Sequence, residues 1–164
     1  MKLYEVKKTA RDYKIFLDLD GVMADFGKAV QNLLGQYPDK LDPQEMWPAI
    51  INADHFFLNI PKKRDADSLW SHIKGNDVEV LTGLPPAASN GKEDKIKWVQ
   101  RNISKNIKVH VVPAKDKQNF ADEHHILIDD RPKNIDRWKA AGGIGILHKS
   151  TAQTVKELKK LGVR

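Results

Sequence analysis

The stretch Ile15-Phe16-Leu17-Asp18-Leu19-Asp20-Gly21-Val22-Met23-Ala24-Asp25-Phe26 constrains this chain more than any other. It opens as a short apolar run, Ile15 to Leu17, of the length and kind that makes a buried strand. Two carboxylates follow two residues apart, Asp18 and Asp20, and in an extended chain such residues point to the same side. Gly21 permits a sharp turn, and Val22 to Phe26 can start a helix. Carboxylates at the C-terminal end of a buried strand sit where open α/β sheets bind ligands. Clustered negative charges repel, and a hard cation with oxygen ligands such as Mg²⁺ offsets that repulsion. The same pair also suits plain helix capping, since Asp is a favoured N-cap residue. An EF-hand loop fits less well: its invariant Gly stands sixth, whereas Gly21 stands fourth from Asp18. The rest of the chain decides.

Taken in order, Met1 to Tyr13 is polar and reads as a short strand or arm ahead of the core. Phe26 to Leu34 reads as helix, with Gly35 as its stop. Tyr37 to Pro61 changes character. Pro38, Pro43, Pro48 and Pro61 break it up, and Tyr37, Trp47, Phe56 and Phe57 supply aromatics. This reads as an inserted cap of short helices, spanning about residues 35–72. Val78 to Leu81 is a second buried strand, ending at Thr82-Gly83. Glu93 to Asn102 is helical, with Ile96 and Val99 on one face. Lys108 to Val112 is a third strand and Ile126 to Ile128 a fourth, ending on Asp129-Asp130-Arg131-Pro132. Asn134 to Ala141 is helix, Ile144 to Leu147 a fifth strand, and Thr151 to Leu161 a terminal amphipathic helix. Trp98 and Trp138, at helical spacing, are core residues on this reading.

Strands alternating with helices predict an α/β, doubly wound, Rossmann-like parallel sheet, with the small helical cap inserted after the first strand. At 164 residues the chain is read as one domain. Asp18, Asp20, Thr82 and the Asp129-Asp130 pair all fall just past the C-terminal end of an apolar strand. Oxygen groups delivered to one rim by separate strands read as an active site. His124-His125 does not read as a metal site, because adjacent residues on a strand point opposite ways.

Composition narrows the class. The chain is 40% hydrophobic and 30% charged, as expected of a soluble globular protein. No run approaches the ~18 apolar residues of a membrane span, and the first residues lack a signal peptide's apolar core. With no cysteine there is no disulfide framework and no thiolate chemistry, which suits a cytoplasmic protein. A net charge of +6 suits anionic partners such as nucleotides or nucleic acid, although the short lysine clusters read as solvated faces.

Asp18-Leu19-Asp20-Gly21-Val22, Leu81-Thr82-Gly83 and Ile128-Asp129-Asp130-Arg131 together resemble the first, second and fourth motifs of the haloacid dehalogenase superfamily of Asp-nucleophile phosphatases. The resemblance covers nearly the whole chain. Lys115 and Lys117 both qualify as the lone motif lysine, and Lys117 is preferred because Lys117-Gln118-Asn119-Phe120-Ala121 leads into the fourth strand. Within the superfamily, Asp20 to Phe26 with Leu127 to Arg131 is most similar to the 5′(3′)-deoxyribonucleotidases and their bacterial and phage relatives. Gly83 departs from that pattern, standing where many nucleotidases carry a Ser.

The resemblance implies a Mg²⁺-dependent phosphomonoesterase of nucleoside (deoxy)monophosphates. In it Asp18 is the nucleophile and Asp20 the general acid/base. Thr82, Gly83 and Lys117 bind phosphate. Asp18, the Asp20 carbonyl, Asp129 and Asp130 hold the metal, with Asp130 preferred over Asp129 as direct ligand. Arg131 is expected to pair with Asp129 or Asp130, the alternative being contact with substrate. Phe26, Trp47, Phe56 and Phe57 are candidates for a platform for the substrate base or, equally, for the cap's own core, with Phe26 and Phe57 taken first. Two rivals stand beside this reading. One is a phosphatase of 3′ or 5′ nucleic-acid ends, which the positive charge suits. The other is a non-catalytic binding module, which usually loses one of the two carboxylates that Asp18 and Asp20 supply here.

Overall fold

The computed structural model describes residues 12–164, so most of the expected N-terminal arm lies outside the described residues. Five strands form one parallel sheet: β1 (Lys14–Leu17), β2 (Asp77–Gly83), β3 (Val109–Val112), β4 (His125–Asp129) and β5 (Ile144–Leu147). Their order is β3-β2-β1-β4-β5, the expected doubly wound arrangement. β1 is central, with Leu17 opposite Val80 on one side and Ile128 on the other. After β3 the chain crosses to the far side of β1, so the topological switch lies between β1 and β4. Ligands of open α/β sheets sit at that crevice, beyond the carboxyl ends of the strands.

The strand period of two sorts the core into two layers. Ile15 and Leu17 join one cluster with Val80, Ile126 and Ile128. Phe16 joins the other with Leu81 and Leu127. Helices α1 (Phe26–Leu34), α2 (Pro43–Asn52), α3 (Ala66–Ile73), α4 (Lys92–Asn102), α5 (Pro132–Ala140) and α6 (Thr151–Lys160) complete the fold. Trp98 of α4 and Leu158 of α6 close the first layer, and Trp138 of α5 closes the second. Both tryptophans are core residues, and each indole N–H is satisfied: Trp98 donates to the Ile60 carbonyl at 2.7 Å and Trp138 to that of His125 at 3.3 Å. Among the described residues no helix is long and apolar enough to cross a membrane.

Between β1 and β2 the helix read over Phe26 to Leu34 forms, with Gly35 as its stop. Asp25 caps α1, accepting the Lys28 N–H at 3.1 Å, and Gly35 ends it in the left-handed conformation. Asp42 caps α2, with Pro43 at its first position. Short 3₁₀ turns at Pro38–Lys40 and Phe56–Leu58 flank that helix. α3, by contrast, packs against α6, and Asp65 at its start accepts the Thr151 N–H at 2.8 Å. Leu69 and Ile73 of α3 lie in the main core.

The segment after α2 is pinned to α4. Trp98 reaches the Ile60 carbonyl, and the Phe57 ring lies over Gly91 so closely that a Cβ there would come 2.3 Å from a ring carbon. Overpacking at such a point forces ring and backbone apart. Gly91→Ala is therefore expected to destabilise the fold by about 1–3 kcal/mol in urea denaturation. An unchanged midpoint would show that Phe57 moves aside without cost.

Candidate active site

β1 ends on Leu17, and the ladder runs one bond further: the Asp18 N–H donates to the Ile128 carbonyl at 3.0 Å. That bond fixes Asp18 at the sheet's carboxyl rim beside the end of β4. The loop beyond then folds tightly back, with Met23 and Ala24 N–H groups both donating to the Leu19 carbonyl. It is stitched to the end of the inserted segment by Asp25 N–H to the Pro61 carbonyl at 2.7 Å and Lys63 N–H to the Met23 carbonyl at 2.8 Å. Asp20 emerges from this loop at the rim of the same crevice.

The two candidate lysines differ in position. Lys115 is exposed, whereas Lys117, on the 3₁₀ segment Ala114–Phe120, is 3% exposed. Its ammonium donates to Asp18 Oδ1 at 2.9 Å and to Asp129 Oδ2 at 2.7 Å. Asp129 also accepts the Arg131 backbone N–H at 2.9 Å and the Asn134 side-chain amide at 3.0 Å. Asn134 escaped the sequence reading; it sits in the first turn of α5 and aims back at the strand that precedes it. The expected ion pair of Arg131 does not form: its main chain, not its guanidinium, serves Asp129, and the exposed side chain borders the cavity.

Asp18, Asp129 and Asp130 each offer an oxygen, and the three lie within 4.8 Å of one another. Burial lifts the Asp18 carboxyl well above the usual carboxylate range and the Asp129 charge adds to it, while Lys117 opposes both. Burial, then Asp129, pushes Asp130 up to about 6. Burial alone would lower Lys117, but the charges of Asp18 and Asp129 outweigh it and hold the ammonium above its ordinary value. One lysine among three carboxylates leaves the cluster short of positive charge.

The cluster suits a hard divalent cation on two observations. Asp130 Oδ1 is buried with no hydrogen-bond partner. Gly21, at φ +81°, stands so near that a Cβ would lie 1.9 Å from Asp130 Oδ2, so the chain keeps that space clear for the carboxylate. All-oxygen donors of this kind fit Mg²⁺. Asp129 is already occupied by three donors, so Asp130 and Asp18 are the better candidates for direct ligation. The Asp20 side chain is not part of the group. Its Oδ2 instead accepts from Lys95 at 2.6 Å, and Lys95, on α4, also donates to Thr82 Oγ1 at 3.0 Å.

A cavity of about 650 Å³ opens above these groups. Asp18, Asp20, Gly83, Lys117 and Asp130 line its polar end, and Phe26, Met46 and Trp47 its apolar wall. Two expectations need correction. Thr82 is wholly buried and absent from the cavity wall, because its hydroxyl is turned to Lys95; only Gly83 of that pair faces the space. Phe57 is not on the wall either. It is packed edge-on against Phe56 at 5.2 Å and lies beneath the Lys95 ammonium, so its place is in the core. Trp47 stands instead beside Phe26, their ring centres 6.0 Å apart.

Lys95 was missed altogether. The helical period does mark it, since Lys95, Trp98 and Val99 form the buried stripe of α4, with Ile96 half-buried at the edge. His125 and His124 turn to local partners, the Phe120 carbonyl and Asp122.

No family model matches the sequence, and no curated protein matches it. Solved structures do. A hydrolase from Streptococcus pneumoniae TIGR4 is 14% identical, with a TM-score of 0.53 over 91% of this chain and 99% of that one. A hydrolase from Pseudomonas syringae is 12% identical, with a TM-score of 0.53 over 92% and 91%. A HAD family hydrolase from Deinococcus radiodurans with bound phosphate and sodium is 12% identical, with a TM-score of 0.52 over 93% and 90%. At such identities the likeness establishes the α/β fold, shared over nearly the full length of each chain.

The raised Asp130 pKa makes a signed prediction. A carboxyl that holds its proton more tightly when folded stabilises the fold fully below its ordinary value of 3.8 and loses that contribution as pH rises through about 6. In EDTA at pH 8, Asp130→Asn should therefore be more stable than the wild type by about 1–3 kcal/mol. At pH 4 the advantage should vanish. A variant less stable than wild type at pH 8 would show that the cluster carries no such strain.

Proposed function

We propose that this chain is a Mg²⁺-dependent phosphomonoesterase of the haloacid dehalogenase superfamily, hydrolysing nucleoside (deoxy)monophosphates through an aspartyl-phosphate. The observation that carries the reading is the buried Asp18, held by Lys117 at the polar end of a cavity whose other side is aromatic. The phosphate bound by the Deinococcus radiodurans hydrolase of like fold supports a phosphate ester as substrate. Mg²⁺ held by Asp18, Asp130 and the Asp20 carbonyl would supply positive charge to offset the negative charge of the transferring oxygens.

The residues divide the work. Asp18 attacks phosphorus, the new Asp18 O–P bond forming as the ester P–O bond breaks, which splits one hard step into two. Asp20, two residues on and at the cavity rim, gives its proton to the departing alkoxide oxygen. It then takes a proton from the water that attacks the phosphoenzyme, restoring the Asp18 carboxylate and releasing phosphate. Lys117, donating to Asp18 Oδ1, opposes the rise in Asp18's pKa caused by burial and by Asp129. The Gly83 backbone borders the space for the phosphoryl oxygens. Phe26 and Trp47 offer the apolar wall for the base, and a space of about 650 Å³ suits a mononucleotide.

A panel of phosphate monoesters with Mg²⁺ tests the reading. Turnover of nucleoside monophosphates is expected, lost in Asp18→Asn with the fold intact, and abolished by EDTA until Mg²⁺ is returned. Strong competition by phosphorylated oligonucleotides would move the substrate to nucleic-acid ends. Hydrolysis by Asp18→Asn at a substantial fraction of the wild-type rate would end the covalent mechanism. Trp47→Ala is expected to cost about 1–3 kcal/mol in kcat/KM for a nucleotide and little for p-nitrophenyl phosphate. Phe57→Ala, in contrast, should lower stability by about 3–5 kcal/mol. Equal Trp47→Ala losses on both substrates would assign that ring to packing.

A further inference from the structure

The mechanism above leaves one buried ammonium without work. Lys95 is 2% exposed, at a position of α4 that the helical period assigns to the core beside Trp98 and Val99. Lysine is almost never buried to that degree unless it is paired. Its three partners come from three separate elements. Asp20 Oδ2, at 2.6 Å, belongs to the loop after β1; Thr82 Oγ1, at 3.0 Å, to the end of β2. The Phe57 ring, whose centre lies 4.9 Å away, belongs to the inserted segment. Gly91 lies directly against that ring, so the ring cannot retreat towards α4. The ammonium is thus fixed from three sides.

Lys95 does not line the cavity, so it is not placed to touch a ligand there, whereas Asp20, 28% exposed at its side chain, does. One Asp20 oxygen is thereby anchored from behind while the residue faces the space of the leaving group. A carboxylate free to rotate at a cavity rim would spend much of its time hydrated and misdirected. Proton transfer needs heavy atoms within about 2.6–3.2 Å.

We propose that Lys95 is a positioning residue for proton transfer, holding Asp20 in the orientation from which its carboxyl reaches the leaving-group oxygen. The proposal rests on the phosphomonoesterase reading. Lys95→Met keeps the apolar stem and most of the length, and Asp20, being partly exposed, is rehydrated when the ammonium goes. Removing one partner of an ion pair is costly when the other charge stays buried; water can reach the Asp20 side chain, which is 28% exposed, so the variant should fold.

The test compares p-nitrophenyl phosphate with phenyl phosphate, two esters of similar shape whose leaving groups differ in their need for a proton. The readout is kcat/KM, which reports the steps up to phosphoenzyme formation. Lys95→Met should lower it about 10–100-fold for phenyl phosphate. The loss for p-nitrophenyl phosphate should be no more than a few-fold, and inhibition by inorganic phosphate should be unchanged. In an Asp20→Asn background, Lys95→Met should add less than about a twofold loss, because the residue acts through Asp20. Lys95→Gln, which keeps a donor of shorter reach, should give the same pattern with smaller losses and stands in if the Met variant does not fold. Equal losses on the two esters, weaker inhibition by phosphate, or a full additional loss in the Asp20→Asn background would each overturn the role. If the wild-type chain hydrolyses neither ester, the phosphomonoesterase reading has failed and the role of Lys95 falls with it; wild-type turnover with equal losses fails Lys95 alone.

Discussion

The ammonium of Lys117, shared between Asp18 and Asp129, is the interaction on which the site depends. Three carboxylates meet at one strand rim, two of them essentially out of water, and taking charges out of water costs several kcal/mol each. A single lysine with excellent geometry repays part of that cost, and the amide of Asn134 and the main chain at Arg131 repay more at Asp129. Asp130 is left over, half-exposed, with one oxygen buried and unmatched. A fold selected for stability alone would not keep it. The raised pKa values of Asp18 and Asp130 record the same imbalance in another form.

The sheet is what makes this possible. Parallel β1 and β4, in register from Lys14 opposite His125 to Leu17 opposite Ile128, end at the same height. Residues that follow them must therefore emerge side by side. Because the chain reverses its winding between these two strands, no crossover helix fills the crevice above their ends. The Asp20 loop and the 114–120 segment flank that opening, and the aromatic wall stands across it.

The wall is built in two tiers. Phe26 and Trp47 border the cavity, and Phe56 meets Phe26 edge-on at 5.9 Å behind them. Phe57 lies deeper, fixed between Phe56, Gly91 and Lys95. α4 thus reaches the insertion through Phe57 and through Trp98 at Ile60, and the Asp20 loop through Lys95. One helix face touches both the inserted segment and the Asp20 loop.

Much of this was legible in the sequence. Apolar runs of strand length separated by helical periods specify a parallel α/β sheet, because both signals depend only on which residues share a face. The five strands and the helices after β2 lie within a residue or two of where the pattern puts them. Asp18, Asp20, Asp129 and Asp130 were legible for a related reason: a polar residue just past a buried strand must emerge at the rim. Which way a side chain turns once it arrives there is another matter. Thr82 and Phe57 turn inward, Trp47 and not Phe57 joins the wall, and Arg131 serves through its main chain. Lys95 bonds a residue 75 positions away and Lys117 one 99 positions away. Such pairings are decided by packing and by the demand of buried charges for partners, and neither is a property of local sequence.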